Sequence, residues 1–228
     1  MNTGILPRVA PFILFMVFVG LEEAARFLDS RDMITMSRQT LQYLYPLKVI
    51  AVAALLIGFR KQYQEIAFRQ LLIPLQLLVS LSIGVAVFVL WIQMDFSVNP
   101  LGAAQGFNPL LFDDQTERTV MIIMRLIGAV LVVPVMEELF WRSFLIRYLV
   151  DSDFSKIPIG TATWPSFLIS SLLFGLEHNL FLAGVMAGIA YNLLLYYTRS
   201  ISHCILAHAL TNLLLGIYVL FTRQWQFW

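Results

Sequence analysis

The chain has 228 residues, of which 59% are hydrophobic and 13% charged, whereas soluble domains run at about 45–50% apolar and about 25% charged. That balance excludes disorder and argues against an ordinary soluble globule, and Lys+Arg 15 against Asp+Glu 14 lacks the basic excess of a nucleic-acid binder. One cysteine, Cys204, excludes both an intramolecular disulfide framework and a cysteine-built zinc cage. The length allows one domain, residues 1–228. An all-α, polytopic transmembrane helix bundle of about 7–8 spans is expected.

A spanning helix needs roughly 20 mainly apolar residues. Val9–Leu21 is clean and then meets Glu22, Glu23 and Arg26. It also fits the apolar core of a signal peptide, but Glu22-Glu23 falls where small residues should precede a cleavage site, so a retained helix is expected. Leu41–Phe59 follows, interrupted by Lys48, and then Leu71–Met94 with no formal charge. A Gly/Pro/Asn-bearing loop, Asp95–Glu117, separates these from the motif-bearing core, residues 118–222. There the stretch from Arg118 to about Ile146 holds Arg125, Glu137, Glu138 and Arg142. Ile157–Leu176 and Asn179–Thr198 are uncharged, and Ser200–Thr222 carries His203 and His208.

Seven alternating spans place Arg8, Arg60, Lys61, Arg69, Arg147, Lys156 and Arg199 on one side and Arg26, Arg31, Arg38, Arg118 and Arg223 on the other. The first side is read as cytoplasmic, with the N-terminus inside. Gly184 and Gly188 form a small-xxx-small pair of the kind that packs helices closely.

Ionisable groups inside a bilayer are costly and usually face a protein interior. In Pro134-Val-Met-Glu137-Glu138-Leu-Phe-Trp-Arg142, Glu138 and Arg142 are four apart, on one helical face. Glu137 lies about 100° round the helix without that partner. A desolvated carboxylate beside a second carboxylate is poised as a general base, and Glu138 lies roughly 14 Å in from Arg147 at 1.5 Å per residue. Glu22, Glu23 and Arg26 have similar spacing but end an apolar run, so structural anchoring is expected of them. Phe174 and His178 are one turn apart, and so are His208 and Asn212 on another helix. Converging on one cavity, Glu137, His178, His208 and Asn212 can activate water and stabilise a tetrahedral oxyanion. His203, near Arg199, is expected at the interface with no part in chemistry.

At these residues the chain resembles the CAAX-protease and bacteriocin-processing (Abi) family of intramembrane glutamate-dependent endopeptidases. The family pattern EExxxR, FxxxH, HxxxN stands here, in order, as Glu137-Glu138-Leu-Phe-Trp-Arg142, Phe174-Gly-Leu-Glu-His178 and His208-Ala-Leu-Thr-Asn212. The resemblance implies that Glu137 and His178 activate the hydrolytic water, that His208 and Asn212 form the oxyanion site, and that Glu138 and Arg142 brace them. It implies no metal or other cofactor, and a membrane-associated protein or peptide as substrate. The compact size and extended N-terminal spans look like the subgroup associated with exosortase and PEP-CTERM sorting systems, which would place the protein in a bacterial cytoplasmic membrane. Prenyl specificity belongs to the eukaryotic branch. Two departures stand out. Ser143 follows the motif arginine where the family often has glycine, and Glu177 precedes His178, either acting on that histidine or facing away from it.

Other readings use the same residues. Two Glu and two His are acceptable zinc ligands by type, though HExxH is absent. No GxSG-like serine setting or intramembrane Asp pair appears. Intramembrane Glu and His also build proton relays, so a proton-coupled transporter is an alternative, as is a non-catalytic scaffold. Counted from the cytoplasmic side, His208 is shallow, Glu137 mid-depth and His178 near the far end of its span. A shared site therefore requires a bend or re-entrant turn around Glu177–Gly184.

Overall fold

The computed structural model describes residues 4–96 and 106–228, and among these every regular element is helical. Six helices among the described residues are long and apolar enough to cross a membrane: α1 (Ile5–Ser30), α2 (Arg38–Gln62), α3 (Pro74–Ile92), α4 (Gln115–Tyr148), α6 (Phe181–Thr198) and α7 (Ile201–Thr222). Between α4 and α6 lies a shorter apolar helix, α5 (Trp164–Leu176). All seven expected apolar segments are thus helices. The segment expected to begin at Ile157 becomes helical only at Trp164, because Pro158 and Gly160 (φ 81°) make a turn first. Thr163 then caps the helix by accepting from Ser166 N–H at 3.3 Å, with Pro165 in the first turn where a missing N–H costs nothing. Of the loop expected over Asp95–Glu117, residues 97–105 lie outside the described residues.

Small residues set the closest approaches. α5 packs along α6, where a Cβ on Gly184 would meet Gly175 Cα at 2.9 Å and one on Gly188 would meet Ser171 Cα at 3.1 Å. A Cβ on Gly84 in α3 would meet Ala207 O of α7 at 2.7 Å. Between membrane helices such packing, rather than burial from water, holds the pair together. Many large apolar side chains, among them Leu78, Val89, Leu131 and Leu193, remain exposed on the outside of the bundle, as lipid contact requires.

α4 is not a uniform α-helix. It widens into π-turns at Gly128–Val132 and Leu139–Leu145, on either side of the α-helical Val133–Glu138. Pro134 contributes directly to the first. Val133 N–H reaches Gly128 O, and Pro134 has no N–H, so neither residue donates to the Ala129 carbonyl. Asn212 of α7 fills the gap, its Nδ2 donating to Ala129 O at 2.8 Å. A side chain from the site is thus part of the backbone accounting of the helix that carries the two glutamates.

The start of α1 is tied to the same helix by ions. Arg8 bonds both carboxylate oxygens of Glu65 at 2.7 Å, and Ser143 Oγ donates to Glu65 while accepting from Arg147 Nη2 at 3.0 Å. Burial would raise the Glu65 carboxyl, but hydrogen bonds from Arg8 and Ser143 and the Arg8 charge outweigh it and hold the group below its ordinary 4.5. Glycine at position 143 would supply neither of the bonds made by the Ser143 hydroxyl, so the family departure is a structural tie at this end of the bundle.

Candidate active site

Glu137 and Glu138 diverge, as successive helical positions must. Glu138, fully buried, receives Arg142 Nη1 at 3.3 Å and faces His208 Nδ1 at 2.9 Å. Arg142, also buried, is held further by Asn192 Oδ1 (3.2 Å), Gly188 O (3.3 Å) and the face of Phe174, 4.4 Å from its guanidinium carbon. Asn192 in turn donates to Ser170 and Ser171 of α5. The expected Glu138–Arg142 pair is therefore the hub joining α4, α5, α6 and α7.

Glu137 points elsewhere. Its carboxylate lies 3.9 Å from His208 Nε2, and among the described residues Oε2 has no hydrogen-bond partner although the residue is buried. One oxygen of Glu137, one of Glu177 and one ring nitrogen of His178 lie within 4.8 Å of one another. The depth difference between the histidines closes because α5 stops at Leu176 and the chain turns through residues 177–180 before α6. That turn carries His178 against Trp91 and Phe174, with ring centroids at 5.3 and 4.6 Å. Its Nδ1 bonds Phe174 O at 2.6 Å.

Glu137, His178, His208 and Asn212 all line one cavity of about 180 Å³, walled by Trp91, Phe174 and Tyr191. Tyr191 stacks on His208 at 5.0 Å and gives its hydroxyl hydrogen to Thr211 Oγ1. Asn212, half-buried, spends one amide N–H on Ala129 O and retains the other. A separation of up to 4.8 Å between Glu137 and His178 leaves room for one water bonded at about 2.8 Å to each.

Glu177 does not face away. It accepts from Trp141 Nε1 at 2.9 Å and joins the wall of a larger cavity, about 840 Å³, that also meets Glu137 and His178. The spacing could show that Glu177 adjoins the histidine, but not which way it would turn once the helix ended.

Glu22, Glu23 and Arg26 line the outer part of this larger cavity, together with Asp29, Arg38 and Lys48. Glu22 is paired not with Arg26 but with Lys48 of α2, at 2.9 Å, while Arg26 bonds Glu23 at 3.1 Å. The cluster thus forms the wall of a passage to the site as well as an ionic tie between helices. Arg125 stands on the same side of α4 as Ala129, Val133 and Glu137, all in the wall of the smaller cavity, and lies over Tyr45 at 4.4 Å. Sequence reasoning gave Arg125 no role. His203 is buried rather than interfacial, bonded to Ser80 Oγ (2.8 Å) and Gln70 O (3.0 Å), and takes no part in the site.

Residues 119–214 match the model of a family described as type II CAAX prenyl endopeptidase Rce1-like. The matched stretch contains all three motifs and stops before the end of α7. It is consistent with the CAAX-protease family, and it does not separate an exosortase-associated subgroup from the rest. No curated protein and no solved structure matches the chain.

Proposed function

From the match of residues 119–214 to the Rce1-like CAAX endopeptidases, we propose that the protein is an intramembrane glutamate-dependent endopeptidase. It hydrolyses a peptide bond of a membrane-associated protein or peptide. The observation that carries this reading is the placement of Glu137, His178, His208 and Asn212 around a single cavity, with Glu137 and His178 close enough to share one water.

Glu137, oriented by His178 across the water, takes a proton as the water oxygen attacks the scissile carbonyl carbon. The resulting oxyanion is met by the second Asn212 N–H and by His208, which, with Nδ1–H given to Glu138, donates from Nε2 only as an imidazolium with both ring nitrogens protonated. As the C–N bond breaks, Glu137 returns the proton to the leaving amine. Glu138 fixes the His208 ring through Nδ1, and Arg142 fixes Glu138. A low-dielectric site strengthens each of these contacts. Neither covalent intermediate nor metal is needed. The substrate reaches the site through the larger cavity, whose outer wall is built by the end of α1 and the start of α2.

The test is cleavage of a tethered membrane reporter in cells, comparing wild type with Glu137→Ala. Cleavage by wild type alone supports the proposal, and equal cleavage by both overturns it. A scaffold would tolerate His178→Ala and His208→Ala together, and a proton-coupled transporter would leave the reporter intact with either protein.

A further inference from the structure

Most cations around the two cavities have a stated task. Lys48 is paired with Glu22 at 2.9 Å, Arg26 with Glu23 at 3.1 Å, and Arg142 is committed to Glu138. Arg38 is exposed at the rim of the larger cavity. Arg125 differs from all of these. It lines both cavities, and among the described residues no carboxylate lies within ion-pair distance of it. Its Nε is buried with no hydrogen-bond partner there. A guanidinium inside a membrane helix is costly unless something compensates it.

The rings of Tyr45 and Phe107 lie 4.4 and 5.7 Å from the guanidinium carbon. Aromatic neighbours stabilise the charge but accept none of its N–H groups in the guanidinium plane. An arginine serving only as a membrane anchor would carry its head out to water. This one keeps Nε buried, about 10 Å of helix in from Arg118. Two further donors in the wall of the smaller cavity, Trp91 Nε1 and Trp228 Nε1, are also buried with no partner among the described residues. Buried donors left unpaired in a native fold call for water or a ligand. A planar guanidinium with neighbouring N–H groups matches a carboxylate, whose two oxygens accept in the same fork geometry.

We infer that Arg125 is a specificity residue that binds a carboxylate of the peptide substrate. The effect on cleavage rests on the proposed hydrolytic function; the binding does not. Arg125 and Glu137 share the walls of both cavities and lie about 18 Å apart along α4 at 1.5 Å per residue. An extended chain advances about 3.3 Å per residue, so the carboxylate lies about five residues or fewer from the scissile bond. That distance also keeps it clear of the like charges of Glu137 and Glu177. Either an acidic side chain or a chain terminus supplies the group.

The experiment uses the full-length protein in detergent micelles and short, acyl-anchored fluorescent peptides in matched pairs. One pair differs only in a free or an amidated terminus, the others only in Glu or Gln at a single position. Fluorescence anisotropy gives Kd for each peptide, and product analysis gives kcat/KM. Wild type should favour the carboxylate-bearing member of at least one pair by about 10–100-fold in both quantities. A response of the terminal pair alone identifies a terminal carboxylate, and a response of a Glu/Gln pair identifies a side chain. Arg125→Gln should bring the ratio close to one. Arg125→Lys should restore part of it, because the charge is kept and the fork is lost. An arginine that merely holds α4 in place would affect both members of a pair equally, so an unchanged ratio in Arg125→Gln overturns the assignment. Wild-type binding that is indifferent to the carboxylate in every pair overturns it too. A ratio in Kd without cleavage of any peptide contradicts the proposed function alone and leaves the Arg125 site standing.

Discussion

Replacing Arg142 by Met removes the one guanidinium bonded to buried Glu138 while keeping an apolar stem of similar length. Arg142 is 1% exposed and holds Glu138 at 3.3 Å, Asn192 at 3.2 Å and Gly188 O at 3.3 Å. Breaking a buried pair from one side costs about 3–5 kcal/mol, because the remaining charge has no compensation. Neutralising the other side as well, in Arg142→Met/Glu138→Gln, removes that charge. It leaves only hydrogen-bonding groups to satisfy, a cost of about 1–3 kcal/mol. The double variant should therefore be more stable than Arg142→Met alone, with a coupling energy of about 2 kcal/mol. Reversible unfolding in mixed micelles, followed by tryptophan fluorescence, measures all four proteins. If the two single costs simply add, the pair is not the electrostatic hub that the geometry describes, and the bracing assigned to it is wrong.

Gly184→Ala should destabilise the α5–α6 pair by about 1–3 kcal/mol and lower cleavage, because the new methyl meets Gly175 Cα at 2.9 Å and His178 Cβ at 3.1 Å. Thermal unfolding and reporter cleavage of the same preparation check both. The Glu65 carboxyl is held below its ordinary 4.5 in the folded protein, so its contribution is fully present above that value and is lost as pH falls through the lower folded value. Glu65→Gln should then lower the unfolding midpoint at neutral pH, and the gap from wild type should close as pH falls below 4.5. Cysteines placed at Glu23 or Arg38, in the outer wall of the larger cavity, should react with a bulky maleimide that then blocks cleavage. The same adduct at Arg69, in the segment between α2 and α3, should leave cleavage unchanged. Native Cys204 is buried and serves as the unreactive background.

The helices were legible in the sequence because a bilayer demands long apolar runs, and such runs at Leu71–Met94 or Ser200–Thr222 admit little else. The start of α5 was less so. Ile157–Thr163 is apolar enough to belong to a span, yet Pro158 and Gly160 turn the chain before the Thr163 cap. The Glu138–Arg142 pairing followed from spacing alone, since both partners lie on one helix. The Glu22–Lys48 pair and the burial of His203 did not, since each depends on a side chain from another helix. The π-turns of α4 belong to the same class. Pro134 marks a missing donor, but only the packing of α7 supplies Asn212 to the Ala129 carbonyl. The direction of Glu177 is set by the unwinding after Leu176, which apolar patterning does not encode.

The most direct test of the hydrolytic assignment is the turnover number of purified protein in proteoliposomes, comparing wild type with Glu137→Gln, which keeps the shape of the side chain and removes its basicity. A general base contributes about 10²–10⁴-fold, so kcat should fall by that factor with KM nearly unchanged. A kcat within a few-fold of wild type would contradict the account, since no water activated by Glu137 could then lie on the reaction path.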